Sequence, residues 1–133
     1  MKVEKIEGIT ILATDERLDN FDGPKLKEAA EKLAQESGLR LVLDIAKTRF
    51  IDSTGLHTLL SLRKIMTMNQ GEIKIASPTR RVLETFELTR LDRIFEIHDS
   101  VESAVNSLNR DIPQAESLSD NRMLPMNFYQ FFC

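Results

Sequence analysis

Four adjacent small residues are the best candidates for a chemical role in this sequence of 133 residues: Asp52, Ser53, Thr54 and Gly55. They interrupt the stretch RFIDSTGLHTLL, in which the apolar pattern predicts a strand that runs directly into a helix. Asp, Ser and Thr are preferred at the start of a helix, because their side chains accept hydrogen bonds from its first N–H groups. The group therefore has an ordinary explanation as a helix cap, and any chemical role must be weighed against it.

A catalytic serine is the first chemical role to consider. A serine on a strand-to-helix turn is typical of the hydrolase motif G-x-S-x-G, but Ile51 stands in place of the first glycine. The sequence has two histidines, His57 and His98, of which His57 follows Ser53 by one predicted helical turn. No carboxylate is clearly placed to orient that histidine, as a hydrolase triad requires. We therefore expect that the protein is not an enzyme, and turnover of generic esters would test the hydrolase hypothesis.

Phosphorylation is the second chemical role. A hydroxyl group on an exposed turn before a helix is a good acceptor for a phosphate, which adds about −1.5 to −2 charges. The N–H groups and the positive end of the helix dipole would stabilise that charge, so we expect the fold to survive the modification. The new charge would repel an acidic partner surface, and an apolar partner surface could bind only by desolvating the phosphate. The sequence thus favours a switch without catalysis, and it keeps the cap-only explanation open.

Strands alternating with helices surround this group, in the predicted order ββαβαβαβα. This order indicates an α/β fold with a mostly parallel sheet. One apolar run is too continuous for a half-exposed strand and is typical of a strand covered on both faces. A hairpin turn is expected at Glu7-Gly8. The predicted strands cover residues 2–6, 9–14, 39–46, 72–76 and 93–97.

Four helices are expected, each with one apolar face. The first is predicted from Pro24 to Ser37, with Gly38 as its C-terminal cap, and the second follows the Asp-Ser-Thr-Gly group. The third is predicted to have Ser77 as its N-cap and Pro78 as its first residue. The fourth is predicted to be capped by Asp99 with Glu102 as its capping-box partner.

Composition and charge limit the possible partners. The net charge of −3 disfavours nucleic-acid binding, which usually requires a basic surface. No apolar run reaches the ~18 residues of a membrane span, and the charged N-terminal residues lead us to expect no signal peptide there. The lone cysteine, Cys133, excludes a disulfide framework and favours the cytoplasm. Isolated histidines and scattered glycines predict neither a metal site nor any bound cofactor.

The segment LVLDIAKTRFIDSTGLHTLLSLRK resembles the central segment of STAS domains, specifically those of bacterial anti-sigma-factor antagonists. The matching features are an apolar strand that ends at Asp44, a short loop, and the motif from Phe50 to Leu56. The upstream segment RLDNFDGPKLKEAAEKL, which includes Leu18 and Asp19, resembles the family's segment before and through its first helix. The resemblance covers residues 1–110, and it implies the STAS fold, a mixed and mostly parallel sheet with four helices.

The resemblance also implies a mechanism of partner switching. An unphosphorylated antagonist binds an anti-sigma factor that is also a serine kinase, which frees the sigma factor for transcription. The kinase phosphorylates the hydroxyl residue after the aspartate, here Ser53, the complex separates, and a serine/threonine phosphatase restores the antagonist. The residues that the resemblance places on or beside the docking surface are Asp19, Asp52, Ser53, Thr54, Gly55 and Leu56.

An alternative keeps the STAS fold without sigma-factor regulation. The chain would then be a scaffold or regulatory subunit of an output phosphatase, a signalling assembly or a membrane transporter. Its neighbouring genes or its captured partners would distinguish these roles.

Residues 111–133 differ in character from the rest of the chain. A polar stretch leads to the ending PMNFYQFFC, which carries Phe128, Tyr129, Phe131 and Phe132. We expect either a disordered tail or a short peptide that docks through these aromatic residues, and the sequence does not decide between them.

Overall fold

The computed structural model describes residues 1–110, and the expectations for the tail at 111–133 lie outside the described residues. The described strands are β1 Lys2–Ile6, β2 Ile9–Ala13, β3 Arg17–Leu18, β4 Arg40–Asp44, β5 Phe50–Ile51, β6 Glu72–Ala76 and β7 Ile97–His98. The described helices are α1 Gly23–Leu33, α2 Ser53–Met68, α3 Arg80–Thr89 and α4 Val101–Arg110, with a short 3₁₀ helix at Leu91–Arg93.

Five strands form the main sheet, in the order β1-β2-β4-β6-β7. The first two strands are antiparallel and the other pairs are parallel, which confirms the predicted mixed and mostly parallel α/β fold. The predicted hairpin is also confirmed, since Ile6 pairs with Ile9 across a turn in which Glu7 and Gly8 have φ of 53° and 80°. Such positive φ values are what the tight turn of a two-residue hairpin requires.

The hydrophobic core lies on both faces of this sheet. Leu41 and Leu43 of β4 face a large cluster that contains apolar residues of α1, α2 and α3. Val42, between them, faces the smaller cluster that contains Ala104 and Leu108 of α4. The prediction that this strand is covered on both faces is therefore confirmed.

A second, very short sheet consists of β3 and β5, which run parallel with Leu18 opposite Ile51. The prediction that a strand runs directly into α2 is confirmed, because β5 ends at Ile51 and α2 begins at Ser53. β5 is separate from β4, which ends at Asp44 and is followed by a loop, and neither β3 nor β5 was among the predicted strands. Buried Thr48 holds this loop, since its hydroxyl donates to the carbonyl oxygen of Asp15 at 2.7 Å. The loop thus carries the chain from the main sheet to the small one.

Three helix ends differ from the predictions. α1 ends at Leu33, one turn before Ser37, and Gly38 lies in the following turn with a φ of 80°. α3 is capped by Thr79, whose Oγ1 accepts from the N–H of Val82 at 3.3 Å. The predicted cap, Ser77, instead has a φ of 62° and lies before the helix.

The chain around β7 also departs from the predicted pattern. Only Ile97 and His98 form the strand that was predicted from residue 93, because Leu91–Arg93 is a 3₁₀ helix. α4 is capped by Ser100, whose Oγ accepts from the N–H of Ser103 at 3.1 Å, and not by Asp99.

The carboxylate of Glu96 joins β6, β7 and α4. Lys74 Nζ lies 2.6 Å from Oε1, while Ser107 Oγ donates to Oε2 at 2.9 Å and His98 Nε2 lies 2.7 Å from the same oxygen. Partial burial acts to raise the pKa of Glu96, but the hydrogen bonds from Lys74, Ser107 and His98 and the charge of Lys74 outweigh it, so the pKa falls from 4.5 to about 2. The carboxylate is therefore ionised at neutral pH.

This network predicts a stability that depends on pH. Because the pKa of Glu96 is lower in the folded state, its contribution is present above pH 4.5 and is lost as the pH falls towards 2. Since the side chain is half exposed, we expect Glu96→Gln to lower the free energy of unfolding at pH 7 by about 1 kcal/mol. Urea unfolding at pH 7, 5, 4 and 3 measures the difference, which should shrink as the pH falls below 4.5. Exposed Glu102 is the control, because Glu102→Gln should show no such trend; a pH-independent difference for Glu96→Gln would contradict the network.

Candidate functional site

Asp52 is the N-cap of α2. Its backbone is extended, with a φ of −110°, and its Oδ1 accepts a hydrogen bond from the N–H of Gly55 at 2.9 Å. Its carbonyl oxygen accepts the first helical bond, from the N–H of Leu56 at 2.9 Å. The capping role that the sequence offered for the whole group therefore belongs to Asp52, and Ser53 is the first residue of the helix itself.

Gly55 brings α2 into direct contact with β3. A Cβ atom at this buried position would lie 2.1 Å from the carbonyl oxygen of Leu18 and 2.9 Å from Cγ1 of Ile51. Since Cβ atoms are not found so close to other heavy atoms, only glycine permits this approach. The first turn of α2 is therefore fixed against the small sheet.

A second close contact joins the first residue of α1, Gly23, to the second turn of α2. A Cβ atom on Gly23 would lie 2.6 Å from Oγ1 of Thr58, which is buried and donates to the carbonyl oxygen of Thr54 at 3.0 Å. The start of α2 is thus held by β3 on one side and by α1 on another.

Asp19 organises the loop between β3 and α1. Its buried carboxylate accepts hydrogen bonds from the N–H groups of Phe21 and Asp22 through Oδ1, and from Nε of Arg17 through Oδ2, each at 3.0 Å. The bond from the Asp22 N–H, followed by that from Arg17, lowers the pKa of Asp19 below its usual value. Asp19 therefore remains a buried anion that shapes this loop.

The predicted docking residues differ in exposure. Ser53 and Thr54 are exposed, and Asp52 and Leu56 are partly exposed, whereas Asp19 and Gly55 are buried. The buried pair hold the backbone in place, and the exposed pair present hydroxyl groups to the solvent. His57 is also exposed on α2, one turn beyond Ser53.

Two exposed aromatic residues beside this group were not predicted as site residues. Phe21, in the loop that Asp19 holds, is 71% exposed, and Phe50, which pairs with Arg17 across the small sheet, is 46% exposed. A cation lies over each ring, with Lys25 Nζ 4.7 Å from the centre of Phe21 and the Arg17 guanidinium 4.9 Å from the centre of Phe50. No sequence pattern set these two residues apart from the core.

The described residues offer little space for a small molecule near this surface. The cleft beside β3, lined in part by Thr14, Arg17 and Lys25, has a volume of about 20 Å³, room for one water molecule. Residues 1–110 contain no group of three His, Cys, Asp or Glu side chains that would hold a metal ion. In the same part of the chain, every helix is too short or too polar to span a bilayer.

The contact at Gly55 predicts a large effect of a single methyl group. Gly55→Ala should lower the free energy of unfolding by about 2–3 kcal/mol, because the backbone of α2 must move away from Leu18. Urea unfolding followed by circular dichroism measures the loss. Thr54→Ala is the matched control on the adjacent exposed position, and it should change stability by less than about 0.5 kcal/mol. Equal stabilities for the two variants would show that the close contact is not required.

The cap at Asp52 gives a separate prediction. Asp52→Ala removes the acceptor for the Gly55 N–H and should cost about 1 kcal/mol of stability. Asp52→Asn keeps an oxygen acceptor without the charge, so its stability should stay close to that of the wild type. Thermal unfolding of both variants makes the comparison, and an equal loss in both would mean that the charge matters more than the cap.

The chain is similar to known proteins both in sequence and in fold. The STAS domain profile matches residues 1–104. An anti-sigma-B factor antagonist from Listeria monocytogenes is 33% identical over 92 residues, which cover 69% of this chain and 80% of that protein. The crystal structure of an anti-sigma factor antagonist from Mycobacterium paratuberculosis superposes with a TM-score of 0.73 at 21% identity, covering 81% of this chain and 92% of that chain.

The unphosphorylated form of the anti-sigma factor antagonist SpoIIAA has a TM-score of 0.63 at 13% identity, and the match covers 84% of this chain and 98% of that chain. These two structural likenesses establish the fold, and the sequence matches establish the relationship. The chain belongs to the STAS domain family.

Proposed function

We propose that this protein is an anti-sigma-factor antagonist that is switched by phosphorylation of Ser53. Its unphosphorylated form binds an anti-sigma factor that is also a serine kinase, and the phosphorylated form is released. The antagonist thereby regulates transcription that depends on a sigma factor, and it does so as a cytoplasmic binding protein without catalytic activity of its own. A serine/threonine phosphatase would restore the binding form.

One observation carries the proposal, namely that the Ser53 side chain is exposed while its neighbours hold the fold. Asp52 supplies the cap and Gly55 supplies the close contact with Leu18. The Ser53 hydroxyl has neither task, so a kinase can reach it and modify it without removing a structural interaction. The relative from Listeria monocytogenes is an anti-sigma-B factor antagonist, which supports the choice of an antagonist over another STAS protein.

Electrostatics explains why a phosphate at Ser53 would be tolerated by the fold. Ser53 is the first residue of α2, where backbone N–H groups and the helix dipole favour negative charge. The same dianion would stand beside Asp52 on the surface and would repel any carboxylate brought close by a partner. The modification should therefore change binding far more than stability.

The proposal is tested by incubating the protein with the purified anti-sigma-factor kinase of the same organism and ATP. Mass spectrometry should locate one phosphate on Ser53, and Ser53→Ala should remain unmodified. Ser53→Asp should weaken binding to the kinase by at least about tenfold, while its thermal midpoint stays within about 2 °C of the wild type.

Thr54→Ala is the matched control, since Thr54 is the adjacent exposed hydroxyl. It should still be phosphorylated at Ser53. Labelling that persists in Ser53→Ala would remove Ser53 from this role, and a large loss of stability in Ser53→Asp would favour a purely structural role in the start of α2. If the kinase neither binds nor labels the wild type, the role of a scaffold or regulatory subunit becomes the better explanation.

A further inference from the structure

Phe21 and Phe50 are both exposed on one small unit, formed by β3, β5 and the loop after β3, and exposed apolar residues are informative when they are grouped. Phe21 lies in the loop between β3 and α1, and Phe50 begins β5, three residues before Ser53. Both are more exposed than the apolar residues that form the core on either side of the sheet. Exposed aromatic residues grouped on one surface are typical of a protein interface.

A single carboxylate fixes the surroundings of both rings. Asp19 Oδ1 accepts from the N–H of Phe21, which fixes the backbone that carries the first ring. Asp19 Oδ2 accepts from Nε of Arg17, and the guanidinium of that arginine lies over the ring of Phe50. The two rings are therefore held in advance by one buried anion, which reduces the entropy that a partner must overcome to order them.

The charges around the rings have an inward and an outward side. The side chains of Arg17 and Lys25 are more than half exposed, and each places its cation over a ring. The carboxylate of Asp19 is largely buried by comparison, and Asp22 is only about one-third exposed. A molecule that approaches the two phenylalanines thus meets a cation over each ring, and this cation is more exposed than the carboxylate paired with it, Asp19 for Arg17 and Asp22 for Lys25.

We propose that Phe21 and Phe50 are the apolar anchors with which this protein binds its anti-sigma factor, and that the receiving surface of that partner is an apolar pocket edged by carboxylates. This inference rests on the proposed function, and it adds two anchor residues and the chemistry of the partner. Asp19 is a positioning residue in this arrangement, because it acts through Phe21 and Arg17.

The same arrangement accounts for release by phosphorylation. Carboxylates at the edge of the partner's pocket are attracted by Arg17 and Lys25 while Ser53 carries a neutral hydroxyl. A phosphate on Ser53 adds about −1.5 to −2 charges to the start of α2, just after the strand that carries Phe50. Those carboxylates then meet a dianion, and the complex loses the charge complementarity that favoured it.

The test compares Phe21→Ala and Phe50→Ala with the wild type for binding to the purified anti-sigma-factor kinase, by surface plasmon resonance with the full chain. Each substitution should weaken binding by about tenfold or more, mainly through faster dissociation. Leu88→Ala is the matched control, because Leu88 is an apolar residue that is 83% exposed on α3, a different element. It should bind like the wild type.

Charge variants test the chemistry of the partner separately. Arg17→Gln and Lys25→Gln should slow association about two- to tenfold and make it less sensitive to salt, because charges at the edge of an interface act mainly on the association rate. Faster association in these variants would show that the partner surface is basic and would overturn the proposed carboxylates.

The outcomes distinguish this inference from the proposed function. If the wild type binds the kinase and is phosphorylated on Ser53, but Phe21→Ala and Phe50→Ala bind equally well, the anchors are wrong and the function stands. If the wild type does not bind the kinase, the proposed function fails first. Circular dichroism and urea unfolding of Phe21→Ala, the more exposed of the two positions, check that the variant is folded. A loss of binding can then be assigned to the missing ring.

Discussion

The site depends on one steric constraint, the passage of the α2 backbone beside the carbonyl oxygen of Leu18 with no side chain between them. Gly55 meets that constraint, and the ladder between β3 and β5 fixes both Leu18 and Ile51, the residue that precedes the cap. The position of Ser53 therefore follows from backbone geometry and from its neighbours' side chains. Ser53 is exposed in that position, while the cap and the close contact are supplied by Asp52 and Gly55.

The order of strands and helices could be read from apolar periodicity, whereas the small sheet could not. A strand of two residues is too short to show an alternating pattern, so β3 and β5 were hidden in the sequence. Helix starts were predicted within a few residues, but the capping residue was wrong at α3 and α4. Several residues able to cap stand together at each start, and only the backbone conformation decides that Thr79 and Ser100 do so.

For the site, the sequence indicated the types of residue but not which of them are buried. In the sequence, nothing distinguishes Asp19 from a surface carboxylate. In the structure, it accepts hydrogen bonds from two backbone N–H groups and one guanidinium group. The exposure of Phe21 and Phe50 was equally hidden, because apolar residues are assigned to the core unless tertiary structure places them elsewhere. Motif resemblance located the serine, and folded geometry was needed to show what surrounds it.

The absence of a side chain at Gly23 allows α1 and α2 to pack closely, and close packing limits structural change at the start of α2. The hydroxyl of Thr58 fills that space, so the start of α1 packs closely against α2. A phosphate on Ser53 would then act mainly on a molecule that binds directly at that surface. Under the proposed function, the kinase and the phosphatase would approach the same exposed residue in turn, because the phosphatase acts on the form that the partner has already released.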